Sequence, residues 1–209
     1  VAVVELLRPN MSKRDIHQGV ERAMEHGHAE TTLALIPHLS NTQIPSVSLL
    51  QTLAAAWGQT PALRALIQAH PPSCDTWHAL MKSATEAGQT DCVGMLLGHN
   101  QEERCEEYAQ LAAAFFHWDT LRVFIGRVNV AHNDSFLLQI CSAQKKEDLF
   151  AMLYPLSNPE DALHSMLNMG VSPDATELLR RYISASTQKA ALQQVVSAPT
   201  TPTVSVRKI

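Results

Sequence analysis

Apolar residues recur along this chain at a spacing that neither one long amphipathic helix nor a sheet would produce. A small or apolar residue stands four places before a turn, and further apolar residues follow the turn by five, eight and nine places. This phrase occurs six times. The turn residues are Gly27, Gly58, Gly88, Phe116, Gln144 and Gly170, separated by 31, 30, 28, 28 and 26 residues. Before them stand Ala23, Ala54, Ala84, Ala112, Ile140 and Met166. After them come Leu35-Ile36, Leu66-Ile67, Leu96-Leu97, Phe124-Ile125, Met152-Leu153 and Leu178-Leu179. Five places after the turn the residues are Thr32, Leu63, Val93, Leu121, Leu149 and Ala175, so only the first copy is polar there. Self-similarity at a period of roughly 20–50 residues marks stacked units, each too small to bury its own apolar face.

Each unit reads as helix, tight turn, helix. Leu80, Met81, Ala84 and Thr85 make a one-sided stripe at a period of 3.6 residues. Gly88 ends that helix, because glycine enters the left-handed region without a Cβ clash. Asp91 can start the next helix as an acceptor for free backbone N–H groups, with Glu30, Asp119 and Glu147 in the same slot and Pro61 and Pro173 in two other copies.

Gly27-His28-Ala29-Glu30 with Leu35-Ile36, and Ala84…Gly88-Gln89-Thr90-Asp91-Cys92-Val93…Leu96-Leu97, resemble the second half of an ankyrin repeat. The Thr-Pro-Leu-His signature of that family is absent from every copy, and the periods fall short of its usual 33 residues. The resemblance implies an all-α chain, an α-solenoid of stacked helix-turn-helix ankyrin-like repeats with trimmed hairpin fingers. It further implies a protein-protein interaction module that uses a concave first-helix face. Finger-poor arrays of this kind look similar to those of bacterial effectors, where the array selects a target in the host-cell cytosol for a neighbouring catalytic domain.

The expected organisation is a half-repeat at 1–10, six helix pairs over 11–184, a terminal helix at 185–197, and a linker or extended tail at 198–209. Val3-Val4-Glu5-Leu6-Leu7 matches Val93-Gly94-Met95-Leu96-Leu97, which predicts a repeat whose first helix lies upstream, in a longer parent protein. Pro199 and Pro202 oppose helix in the tail.

A net charge of −4 and a pI near 6.2 argue against a nucleic-acid binder, whose surface needs clustered Lys and Arg. No apolar run approaches the roughly 18 residues that a membrane span needs. Cys74, Cys92, Cys105 and Cys141 form no C-x-x-C pair and are expected to be reduced and structural, in keeping with a cytoplasmic site of action. His38, His70 and His99 fall where second helices end, and a cation there suits the helix dipole. His70, Cys74 and His78 have zinc-ligand spacing, but Pro71-Pro72 interrupts the helix and no fourth ligand is evident, so no metal is expected. No elbow, zincin or phosphate-loop motif is present in the sequence. No cofactor and no catalytic residue are expected within these residues.

The expected partner is another protein. The candidate contacts are Trp57 and Phe115 just before their turns, Gln59, His117 and Trp118 just after, and Trp77. Glu103 and Glu107, with Glu102 and Glu106, form an acidic patch suited to a basic segment. The Pro-stiffened connectors at Ile44-Pro45 and Pro71-Pro72 offer a further edge. Two other readings stand beside this one: a substrate-recognition domain of a larger enzyme whose catalytic domain lies outside the chain, and a structural spacer.

Overall fold

The structure, a computed structural model, describes residues 10–39, 44–98, 104–129 and 135–197. Most of the expected half-repeat, the tail at 198–209, and His99, Glu102 and Glu103 lie outside the described residues. Among those described, all regular structure is helical. None of these helices is long and apolar enough to cross a membrane.

The chain divides into two compact units, Val1–Asn129 and Val130–Ile209. The first holds α1 (Lys13–Glu25), α2 (Ala29–Leu35), α3 (Ile44–Ala56), α4 (Thr60–Ala69), α5 (Cys74–Glu86), α6 (Thr90–Leu97), α7 (Cys105–Ala114) and α8 (Trp118–Phe124). They form four pairs, α1/α2 through α7/α8. First helices pack on first helices, and second helices on second. The other unit holds α9 (Phe136–Ala143), α10 (Glu147–Leu153), α11 (Pro159–Asn168) and α12 (Pro173–Ser197). Here α9 packs on α10, α11 and α12. The helix expected at 185–197 has no break before it, because α12 runs on through residues 184 and 185 with no Gly or Pro to stop it.

One backbone device ends all six first helices. The residue after the turn donates its N–H to the carbonyl five places back, as in His28 N to Ala23 O, Gln89 N to Ala84 O and His117 N to Ala112 O. The turn residue itself donates three places back, as in Gly88 N to Thr85 O at 3.1 Å. These are the two bonds of a Schellman cap, which requires a left-handed residue between them. Gly27, Gly58, Gly88, Phe116 and Gly170 take that conformation as expected, with φ between 60 and 70°. In the fifth copy the left-handed residue is Lys145, not Gln144. Gln144 is the residue that caps the helix and bonds Ile140 O, so the register there moves by one. Cys141, rather than Ile140, is then the buried residue before the turn, Phe150 and Leu153 fill the seam, and Met152 is exposed.

The expected seam is otherwise in place. Leu35, Leu66, Leu96, Phe124, Leu153 and Leu179 are all buried, and so are Leu63, Val93 and Leu121. Thr32, the polar exception, is buried because its Oγ1 donates to the His28 carbonyl one helical turn earlier. In the sixth copy α12 starts at Pro173, one place later than the corresponding helices, so Thr176 takes the buried position and Ala175 only half of it.

Leu96, on α6, is fully buried, and Leu96→Asp should unfold the chain at ordinary temperature. An unpaired carboxylate in that seam costs about 4 kcal/mol or more, readable as loss of the cooperative melt. Phe116 bears left-handed strain that glycine would not, while its ring is mostly exposed. Phe116→Gly should therefore raise stability by up to about 1 kcal/mol in urea unfolding, and a fall would contradict the strain.

Candidate functional site

In the first five copies the helix after the turn begins without a side-chain cap. Its first flanking residues are His28, Gln59, Gln89, His117 and Lys146, and none of their side chains bonds its own helix start. Asp91 therefore does not cap α6. It sits inside the first turn, where its charge still suits the helix dipole.

The cap-position side chains reach backwards instead. Gln89 Nε2 donates to the Ala56 carbonyl of the preceding pair at 3.2 Å, and His117 Nε2 lies 2.9 Å from the Glu86 carbonyl. Ala56 and Glu86 occupy equivalent places, two residues before their turns. Each bond thus ties one pair to the last turn of the previous first helix, satisfying a carbonyl that the helix end leaves free. The fit is close. A Cβ on Gly58 would stand 2.3 Å from Gln89 Oε1, and one on Gly88 would stand 2.6 Å from His117 Nδ1. Thr60 Oγ1 and Cys92 Sγ, 3.2 Å apart, and Thr90 Oγ1 and Thr120 Oγ1, 3.0 Å apart, repeat the linkage one step further in.

Several residues expected to meet a partner also have neighbours within the chain. His117 is a bracket between pairs, with its ring also stacked on Phe115. Gln59 has the same position as Gln89, and its amide approaches Gly27. Trp118 is half-buried against Phe116, and Trp77 is half-buried on α5. Glu107 is exposed but faces Arg104 at 3.5 Å and His78 at 3.9 Å. Trp57 and Phe115 keep open surface, at 37% and 51% exposed.

The metal candidate does not assemble. Among the described residues no three His, Cys, Asp or Glu side chains converge as ligands. His78 Nδ1 instead pairs with the buried Tyr108 hydroxyl at 2.6 Å. Burial, with Glu107 adding to it, pushes the Tyr108 phenol above its usual range. The Pro71-Pro72 connector borders a cavity of about 390 Å³ that Val47, Ser48, Gln51 and Thr76 also line. Gln51 is buried there and its Nε2 is held by the His70 and Leu66 carbonyls.

A surface that no single residue announces lies on the first helices of the second, third and fourth pairs. On α3, Leu49, Leu53 and Trp57 follow one another at intervals of four; Leu49 is 52% exposed and Leu53 half-buried. On α5 the same register holds Ala79, Ser83 and Ala87. On α7 it holds Glu107, Leu111 and Phe115. Trp57, Ala87 and Phe115 each donate a backbone bond four residues back, to Leu53, Ser83 and Leu111, so helical register extends through them. Residues four apart share a helix face. With α5 packed between α3 and α7, the three rows run side by side, and the small side chains on α5 leave a shallow trough between the larger ones. The sequence carries one sign of this trough: no charged residue lies between His38 and Arg64, so α3 turns only uncharged side chains outward, Leu49 and Trp57 beside Ser48 and Thr52.

No family model matches the chain, and neither a curated protein nor a solved structure matches it.

The cysteines give this arrangement a direct check. Cys92, Cys105 and Cys141 are buried and Cys74 is exposed. Burial pushes the Cys92 thiol up and takes that of Cys141 up to about 12. A thiol reagent at neutral pH should therefore modify Cys74 quickly and the other three only after denaturation; fast reaction of all four would contradict the packing.

Proposed function

We propose that this chain is a protein-recognition module built of ankyrin-like helix pairs, an α-solenoid in type, whose partner binds the first-helix face. Support for the repeat type comes from the six Schellman turns, the packing of like helices on like, and the resemblance around Gly27 and Gly88. The observation that carries the function is the trough between α3 and α7. Leu49, Trp57 and Phe115 leave a third to a half of their surface in water beside an uncharged helix. Apolar surface gathered in this way and rimmed by polar side chains is characteristic of protein contact sites. Aromatic anchors on rigid helices lose little entropy when they dock. No covalent step is assigned to these residues.

Affinity capture with the 209-residue chain tests this reading. The comparison is a Leu49→Lys variant with an unchanged melting temperature, since that side chain is half in solvent. Retention of a specific protein should fall by about tenfold or more in the variant. A capture profile indifferent to the substitution would remove the trough from the binding surface.

A further inference from the structure

We propose that the cavity beside the Pro71-Pro72 connector is a ligand site for a neutral aromatic ring bearing one N–H or O–H donor, an indole or a phenol. The site is separate from the recognition surface proposed above and stands or falls without it.

The repeat register singles out Gln51. Seven places before the left-handed residue the other copies carry Val20, Met81, Ala109, Leu138 and Leu163, all apolar. Gln51 holds the same place on α3 and is 1% exposed. A buried amide at a packing position needs partners at both of its ends. Its Nε2 donates to the His70 carbonyl at 2.7 Å and to the Leu66 carbonyl at 3.3 Å. A carbonyl only accepts, so these two bonds fix the orientation of the amide and leave Oε1 as an acceptor. Gln51 lines the cavity, and Oε1 is the polar atom it keeps for an occupant.

The surrounding space suits a ring. Its volume of about 390 Å³ lies within the range of small-molecule sites, about 300–1,000 Å³. Val47, Ala69, Pro71 and Pro72 give it an apolar wall, and the two prolines make part of that wall stiff. Among the described residues that line it there is no Lys, Arg, Asp or Glu, so an ionised occupant would find no counter-charge there. The Ser73 and Thr76 hydroxyls, 3.0 Å apart, bond each other, and Ser73 also caps α5. Ser48 and His70 line the cavity too, but both are half-buried, where water can serve them. What remains is one deep acceptor in a mainly apolar wall. An indole or a phenol has the complementary form, an apolar body with a single strong donor. A ring without that donor would cover Oε1 and leave it unpaired, so the site selects for the N–H or O–H.

Two-dimensional amide NMR on the full chain tests the site with indole, 1-methylindole and indole-3-carboxylate. Indole should shift the Gln51 side-chain amide and the backbone amides of Ser48, Ser73 and Thr76, and the shifts should saturate. It should bind about tenfold or more tightly than 1-methylindole, which keeps the ring and lacks the N–H, and than the carboxylate. Gln51→Met, which copies Met81 of the third pair, should erase the difference between indole and 1-methylindole. Ala69→Trp, at an exposed position, should fill the cavity and abolish binding with an unchanged melting temperature, which keeps the test open even where Gln51→Met unfolds. Equal affinity of the two indoles for the native chain overturns the donor assignment. Shifts outside the cavity, binding that survives Ala69→Trp, or no saturable shift at all overturns the site. A blocked Gly-Gly-Trp-Gly-Gly peptide separates the sources of the ring: tighter binding than indole assigns it to a side chain of a partner protein, and exclusion assigns it to a free small molecule. Leu49→Lys should leave indole binding unchanged, so loss of capture and loss of this site are read separately.

Discussion

Each pair depends on a backbone reversal within two residues, where one residue must hold φ near +60°. The Schellman bonds satisfy carbonyls at the end of the first helix, and the next residue opens the second helix at once. The two helices are thereby fixed side by side, with their apolar stripes facing the same seam. Glycine meets the requirement most easily, but Phe116 and Lys145 adopt the conformation too. The surrounding hydrogen bonds and packing impose it on side chains that would otherwise avoid it. At Gly58 and Gly88 a second demand is added, since the side chain from the next pair occupies the space a Cβ would need. Turn geometry and lateral cohesion are one constraint at those places.

The trough is the surface counterpart of that regularity. Because every first helix ends in the same cap, equivalent residues on α3, α5 and α7 fall into rows. A row then takes its character from three helices at once. Leu53, Ser83 and Leu111 are unremarkable separately, and together they set a small side chain between two larger ones. The same geometry keeps Trp57 and Phe115 level with each other across Ala87.

What could be read in the sequence follows from this division. The seam was legible because Leu66, Leu96 and their equivalents must be apolar in every copy. The fifth register was not, since Gln144 and Lys145 lie side by side without glycine and nothing local tells which of them turns left-handed. The helix starts were misplaced for a related reason. Asp91 has the chemistry of a cap, yet the cap position belongs to Gln89, whose amide is used on the preceding pair. Aromatic identity alone did not separate two environments: His117 and Trp118 are half-buried beside neighbours, Trp57 and Phe115 are exposed, and the exposed Leu49 carried no special sign. Ala79 and Ser83 have no signal until their register beside larger residues is known.

The brackets between pairs all point one way. Gln89 and His117 each reach from a later pair to the helix end of an earlier one, and the earlier pair contributes only a carbonyl and a gap above its glycine. A chain synthesised from its N-terminus therefore finishes each receiving surface before the side chain that will occupy it has been made. Assembly from the second pair to the fourth can proceed in the direction of translation, with the third and fourth pairs each latching onto a completed one. A chain shortened from its C-terminal end loses latches together with the pairs that own them, whereas one shortened from its N-terminal end keeps a latch with nothing to hold.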